Sequence, residues 1–320
     1  MASGNHYNLP EDAVWFITGS SSGIGLSLAQ IIASHPTHRL VATARNSSKL
    51  SGLLTQSERV HMVDLDVTSE DAIDAAIDSA LSKFGRIDVL VNNAGHGLMG
   101  DSESTLQSEG HTQARRVVET NFWGTARLSL HAIRIFRDEN PKGGQQGGVV
   151  LNVTSLGGFT GYPGNAFYHA AKFGVEGFTE SVSKEVRPEW NIHFSLIEPG
   201  GTRSNFAGPG GMDWLAPHPA YVATDSPSRL LESYFKNPDM QKTWTPAARV
   251  AAAMYQVVAR SKDKPLPFRL PLTEGAWHVV KTEVAAVEKE LEEVKELSLS
   301  VDIDDANRVG QFLVDNYQQR

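Results

Sequence analysis

Cysteine is absent from all 320 residues. That excludes disulfide bridges, thiolate catalysis and any zinc site ligated by cysteine. Long apolar runs are missing too. Nothing approaches the ~18 residues of a membrane span, and the polar start, Met1–Asp12, lacks an apolar signal core. The end, Tyr317–Arg320, carries no retention, peroxisomal or lipid-attachment signal. The expectation is a cytoplasmic chain with no membrane partner. Excess positive charge is also lacking: at a formal net charge of −8, no nucleic-acid surface is expected, although a local basic cradle for phosphate is compatible with that balance. The 11 histidines form no HExxH or comparable cluster with carboxylates, so no catalytic metal is expected.

What remains is ordinary globular stock, 40% hydrophobic and 21% charged, in a chain long enough to bury a substantial core. Short apolar runs alternate with helical stretches. Ala13–Thr18, Arg39–Thr43, Val60–Asp64, Ile87–Asn92, Gly148–Val153 and Ile192–Ile197 read as strands. Between them, Leu26–Ala33, Ser69–Phe84, Val117–Arg137 and Tyr168–Val186 read as helices. That alternation predicts an α/β fold with a parallel sheet covered on both faces. After Gly200 the pattern loosens into a Gly/Pro-rich stretch, Thr202–Tyr221, whose Phe206, Met212, Trp214 and Leu215 suit a lid better than a linker. Helical patterning returns at Pro246–Val258 and at Glu283–Leu297. In the latter, Val284, Val287, Leu291, Val294 and Leu297 form a stripe expected to pack against its own domain.

Two features carry chemistry. The first is the turn Thr18-Gly19-Ser20-Ser21-Ser22-Gly23-Ile24-Gly25, set between a strand and a helix. Glycines there let the backbone turn sharply and approach a pyrophosphate, while the following helix offers free N–H groups to anionic oxygens. The spacing is GxxxGxG rather than GxGxxG, and an ordinary glycine-rich turn is the bland alternative. The second strand ends Ala42-Thr43-Ala44-Arg45, with no acid to meet a ribose 2′-OH. Arg45 instead suits a 2′-phosphate held bidentately, which favours NADPH over NADH. A solvated strand-end arginine is the alternative.

The second feature is the set Asn121, Ser155, Tyr168 and Lys172. Tyr168 and Lys172 are four apart, on one helix face. Free tyrosine titrates near pH ~10, and a nearby ammonium favours the phenolate and lowers that value. Ser155 follows the fifth strand, beyond whose carboxyl end open α/β sheets place ligands. A hydroxyl there can donate to a carbonyl oxygen beside the phenol. The alternatives are a capping serine and a surface pair. Together with the turn, the set points to hydride transfer.

Over about residues 12–205 the chain resembles the short-chain dehydrogenase/reductase family, one-domain Rossmann enzymes. The motifs are TGSSSGIG at 18–25, LDVT at 65–68, NNAG at 92–95, Asn121 in ETNFWG, Ser155 in VTSLGG, YHAAK at 168–172 and EPGGT at 198–202. The wording around NNAGHGLMG and EPGGTRSNF is similar to NADP-preferring, hydroxysteroid-dehydrogenase-like and carbonyl-reductase-like members. The resemblance implies a Rossmann-type doubly wound parallel sheet in a single domain, 1–320. Its parts would be a core at 12–205, a substrate lid at 203–245, and C-terminal helices and an extension at 246–320.

The implied cofactor is NADPH/NADP+, held by Gly19, Ser21, Ser22, Gly23, Ile24, Gly25 and Arg45. Asp66 and Val67 would flank the adenine. Asn93, Ala94 and Gly95 would line the adenosine ribose side, and Pro199, Gly200 and Thr202 the carboxamide side of the nicotinamide. Tyr168 would give a proton to a ketone or aldehyde, or take one from an alcohol. Lys172 would hold the nicotinamide ribose and lower the Tyr168 pKa, Ser155 would polarise the carbonyl, and Asn121 would bind a water in the proton relay. Ser22 stands where some NADP-using relatives carry a second basic residue. Cofactor choice then rests on Arg45, with Ser20, Ser21, Ser22 and Asn46 as further phosphate donors.

The substrate is expected to be a medium-to-large, fairly apolar carbonyl or alcohol compound. Leu98, Met99, Leu156, Phe159, Tyr162, Phe206, Met212 and Trp214 fall on segments around the site. His96 is placed at the pocket border, and His169 is expected to point away from the site. Relatives pair through long helices, which implies a homo-oligomer, dimer or tetramer. Alcohol oxidation by the same residues, a dinucleotide sensor and a non-redox use of the scaffold are the alternatives.

Overall fold

The six short apolar runs, joined by a seventh strand from beyond Gly200, pair side by side in one parallel sheet. The computed structural model describes residues 6–208, 210–301 and 307–318. The strands are β1 (Val14–Ile17), β2 (Arg39–Ala44), β3 (Val60–Asp64), β4 (Val89–Asn92), β5 (Gly148–Val153), β6 (Ile192–Pro199) and β7 (Arg269–Leu272). Their spatial order is β3-β2-β1-β4-β5-β6-β7, with every pair parallel. The helices are α1 (Gly23–Ser34), α2 (Glu70–Phe84), α3 (Ser108–Val118), α4 (Gly124–Arg134) and α5 (Ala166–Glu185). Beyond them lie α6 (Pro227–Lys236), α7 (Pro238–Thr243), α8 (Ala247–Ala259), α9 (Glu274–Leu299) and α10 (Asn307–Leu313).

Side chains alternate across a strand, so β1 sends Trp15 and Ile17 to one face and Val14 and Phe16 to the other. On the first face they meet Leu28 and Ile32 of α1 and Val250 and Met254 of α8. On the second they meet Ile73 and Ile77 of α2, Leu128 of α4 and Val182 of α5. Burial on both faces explains why these strands read as continuous apolar runs. Strand order reverses between β1 and β4, and the crevice beyond their carboxyl ends is where such sheets take ligands.

Four differences from the sequence reading have local causes. The helix expected at Val117–Arg137 starts earlier. α3 runs on through a π-helical turn at Glu119–Trp123 into α4, which ends in a second one at Ile135–Glu139. Its first turns, SEGHTQARR, show little apolar periodicity. β7 comes from outside the expected core, and its Pro271 disguised it; proline is tolerated because β7 is an edge strand. α6 and α7 lie inside the loosely patterned stretch. Finally, Val284, Val287, Leu291, Val294 and Leu297 are exposed rather than packed on their own domain. α9 has 26 residues, about 39 Å of helix at ~1.5 Å each, and only its first turns meet the sheet edge. Periodicity identified the apolar face of α9, not what lies opposite it.

The excursion after β6 is pinned at two places. Thr202–Arg203 pairs with Thr245–Pro246, and Met212–Trp214 pairs with Gly97–Met99. Buried Asp101 ties in the start of α6, accepting from the His218 N–H at 3.0 Å, the Ser228 hydroxyl and the Arg229 guanidinium. Among the described residues, no helix is long and apolar enough to cross a membrane.

Candidate active site

The glycine turn leaves β1 and enters α1 at the sheet's reversal point. Gly19 and Gly23 take positive φ, +68° and +58°, which glycine adopts at no steric cost. A Cβ on Gly25 would stand 2.4 Å from both the Gly19 carbonyl and the Asn93 amide nitrogen. The Thr18 hydroxyl accepts from the Asn93 and Ala94 N–H groups, both at 2.9 Å, while the Asn93 amide donates to the Thr18 carbonyl at 2.9 Å. Turn and NNAG segment are thereby locked into one cradle. Ser22 caps α1 without a side-chain hydrogen bond, so the first N–H groups of the helix stay available to anionic oxygens. Ser21 and Ser22 are exposed, but Ser20 is buried and donates inward to the Ile17 carbonyl at 3.0 Å. Ser20 is therefore not a phosphate donor. Arg45 follows β2, exposed, and makes no hydrogen bond or ion pair among the described residues. The close-approach glycines, uncapped helix and free guanidinium fit a dinucleotide.

Asp66 and Val67 follow β3. Asp66 Oδ1 accepts from the Thr68 N–H at 3.0 Å, leaving the carboxylate exposed, and Val67 packs under Gly124. Ile24 is half-buried at the start of α1. On the far side, the Gly200 N–H donates to the Leu272 carbonyl at 2.9 Å, and the Thr202 hydroxyl turns back to the Gly200 carbonyl at 2.9 Å. A Cβ on Gly200 would stand 2.5 Å from Thr273 Oγ1, so β7 and α9 close this edge, next to Pro199.

The four expected catalytic residues converge between β5 and α5. Ser155 ends β5's loop with its Oγ accepting from the Gly157 N–H at 3.0 Å. Tyr168 lies in the first turn of α5. Lys172, one turn on and buried, donates to the Val153 carbonyl at 2.9 Å, and its Nζ lies 5.8 Å from the Tyr168 ring centroid. Asn121 sits on the π-helical turn with its side chain clasping the His96 backbone: Oδ1 accepts at 3.0 Å and Nδ2 donates at 2.9 Å. The point where a Cβ on Gly95 would stand lies 2.8 Å from Asn121 Oδ1 and 3.7 Å from Lys172 Nζ.

Protonation departs from the expectation. Burial pushes Tyr168 up to about 12, and a hydrogen bond from Ser155 pulls it only partly back. Desolvation is the dominant effect, so the phenol keeps its proton at neutral pH. Lys172 is pulled down to about 8 by its own burial, with Glu176 opposing.

The chain after β6 closes over this centre. Phe206 packs against Tyr168, ring centroids 5.6 Å apart. A Cβ on Gly97 would meet Phe206 and Met212 at 2.9 Å, and one on Gly23 would meet Ser204 at 3.0 Å. Leu98 joins Ala114, Val117 and Tyr168 in a small cluster. Two expected pocket residues are engaged elsewhere: Trp214 lies under Lys236 Nζ at 4.6 Å, and Phe159 under the Arg269 guanidinium at 5.5 Å.

Several interactions around the site were not read from the sequence. The His96 ring faces Asp213, at 3.6 Å, which also pairs with Arg116. His169 does not point away from the site as expected: its ring stands edge-on to that of Tyr168, centroids 5.7 Å apart, and it clamps the loop after Ser155, its Nδ1 at 2.7 Å from the Gly157 carbonyl and its Nε2 accepting from the Tyr162 N–H at 3.1 Å. Behind Lys172, Arg269 joins Glu176 and Glu198. Glu176 was detectable as the residue four beyond Lys172; Arg269 carried no signal.

Residues 13–211 match the family model described as short chain dehydrogenase. Oxidoreductase calM from Penicillium decumbens is 41% identical over 91% of this chain and 94% of its own. A short-chain dehydrogenase from Streptomyces avermitilis superimposes with a TM-score of 0.77 at 29% identity, covering 91% of this chain and 98% of that one. A short chain dehydrogenase/reductase from Burkholderia phymatum, solved in complex with NAD, shares the fold with a TM-score of 0.69 at 22% identity, over 87% and 95% of the two chains. The sheet order, the matched model and these relatives agree: the chain belongs to the short-chain dehydrogenase/reductase family, an oxidoreductase family.

Proposed function

We propose that the protein is an NADPH-dependent reductase of a ketone or aldehyde on a medium-to-large, fairly apolar substrate, with Tyr168 as general acid. The observation that carries this reading is geometric: Tyr168 and Lys172 stand one turn apart at the start of α5, with Nζ 5.8 Å from the phenol ring centroid, beside Ser155 and Asn121 at the carboxyl end of β5. NADPH, when bound, supplies the hydride. Ser155 orients and polarises the carbonyl oxygen toward Tyr168, which hands it a proton. Lys172 stabilises the phenolate left behind, and Asn121, fixed by the His96 backbone, holds the route by which the proton is replaced. Positioned proton transfer contributes typically ~10²–10⁴-fold.

Arg45 supports NADPH over NADH, because a free strand-end guanidinium answers a 2′-phosphate and no acid stands there for a 2′-OH. Phe206, Leu98 and Met212 beside Tyr168 support an apolar substrate. The segment 203–245 acts as its lid. Exposed Trp123, Leu130 and Phe173 on the α4 and α5 side support a homo-oligomer. The test is loss of NADPH absorbance against a panel of aromatic, steroidal and polyketide-like ketones, with NADH in parallel. Turnover that prefers NADPH is expected. Equal turnover with NADH would overturn the cofactor assignment, and tight NADPH binding with turnover only of alcohols and NADP+ would reverse the direction.

A further inference from the structure

α5 presents Tyr168, Lys172, Glu176 and Glu180 at successive steps of four residues, so each neighbours the next along one side of the helix. Glu176 is 4% exposed and Glu198, on β6, 0%. One guanidinium serves both: Arg269 of β7 pairs with Glu176 and reaches Glu198 at 3.0 Å and Glu180 at 3.6 Å. Two buried carboxylates facing one arginine leave a negative charge that this cluster does not balance. A buried charge without a partner is strongly disfavoured. The cation that stands next to it is Lys172. Glu176 also lies directly beneath the loop after Ser155, since a Cβ on Gly158 would stand 2.5 Å from Glu176 Oε1 and 3.3 Å from the Lys172 carbonyl.

We propose that Glu176, held by Arg269, is a positioning residue that keeps the Lys172 ammonium charged beneath Tyr168. This rests on the reading of Tyr168 and Lys172 as the reacting pair. The charged groups facing Glu176 are Arg269 and Glu198; those facing Lys172 are Tyr168 and Glu176, with His96 contributing across the site. Burial is the main force on both partners, pushing Glu176 up to about 7 and pulling Lys172 down to about 8. Near neutral pH Lys172 therefore depends on Glu176 for its charge. When Glu176 takes a proton, Lys172 loses its anionic support and yields its own proton more readily.

The experiment is a pH titration of lysine ¹³Cε resonances in the full-length protein, with Lys172 assigned by the signal that Lys172→Met removes. In Glu176→Gln the Lys172 midpoint should fall by about one pH unit or more, while Glu176→Asp, which keeps the charge, should hold it near the wild-type value. Glu198→Gln should not lower it, because losing Glu198 leaves Glu176 more readily ionised. A fall as large in Glu198→Gln would mean a general loss of negative charge and would overturn the role of Glu176, as would an unchanged midpoint in Glu176→Gln. The wild-type protein gives a test free of mutation: the Lys172 signal should bend a second time where Glu176 takes up its proton, and a single step would contradict the coupling. Turnover surviving in Tyr168→Phe would instead sink the reading of the site while leaving these titrations untouched.

Discussion

The ring of Phe206 rests against the ring of Tyr168, centroids 5.6 Å apart and planes inclined by 58°. The proposed proton donor and the segment after β6 thus share one contact, which places Phe206 beside the proposed substrate carbonyl. Aromatic pairs of this geometry contribute ~0.5–1.5 kcal/mol beyond area burial. Replacing Phe206 by Ala is expected to raise KM for large ketones up to about tenfold, while kcat changes less. Steady-state kinetics on one large and one small ketone would check this. Equal KM changes for both would show that Phe206 does not select for size.

Arg45 answers to a different measurement. Charge-assisted hydrogen bonds to a phosphate contribute ~1.5–3 kcal/mol, so Arg45→Ala should weaken NADPH binding by roughly 10–100-fold. NADH binding should stay within about twofold, because the guanidinium has no 2′-phosphate to meet there. Fluorescence titration with both nucleotides separates the two. Parallel losses would place Arg45 outside the ribose site.

Much of this was legible in the sequence, and the exceptions follow a pattern. Strands buried on both faces, such as β1 and β5, advertise themselves as apolar runs. The motifs around Gly19–Gly25, Ser155 and Tyr168 lie where expected because each is local, a turn or a helix start that its own residues dictate. β7 escaped because Pro271 argues against a strand unless its edge position is known. The raised pKa of Tyr168 escaped because helix spacing shows the ammonium nearby but not the desolvation of the phenol. The cluster of Glu176, Glu198 and Arg269 is assembled from α5, β6 and β7. No window of sequence contains it.

Buried His38 and half-buried His193 predict an acid sensitivity. His38 and His193 are both pulled down to about 4, chiefly by burial. The unfolded chain takes up these protons near pH ~6.5, whereas the folded chain refuses them until about pH 4. Each group therefore supports the fold above ~6.5 and loses that contribution as pH falls through the window. Glu176, raised to about 7, runs the other way: its contribution is full at low pH and is lost as pH rises toward 7. The comparison of proteins, rather than the wild-type slope, is therefore the test. His193→Asn should gain in Tm relative to wild type as pH drops from 6.5 to 4. A constant Tm difference across that range would contradict the burial of a neutral imidazole.

The most direct test of the whole account is NADPH consumption by Tyr168→Phe beside the wild-type protein, with NADPH affinity measured on both. The ring and its contact with Phe206 remain, and only the hydroxyl is lost. The account predicts that turnover falls by at least ~10²-fold while NADPH affinity stays nearly intact. Comparable turnover in the mutant would show that the proton comes from elsewhere, and Tyr168 would not be the acid.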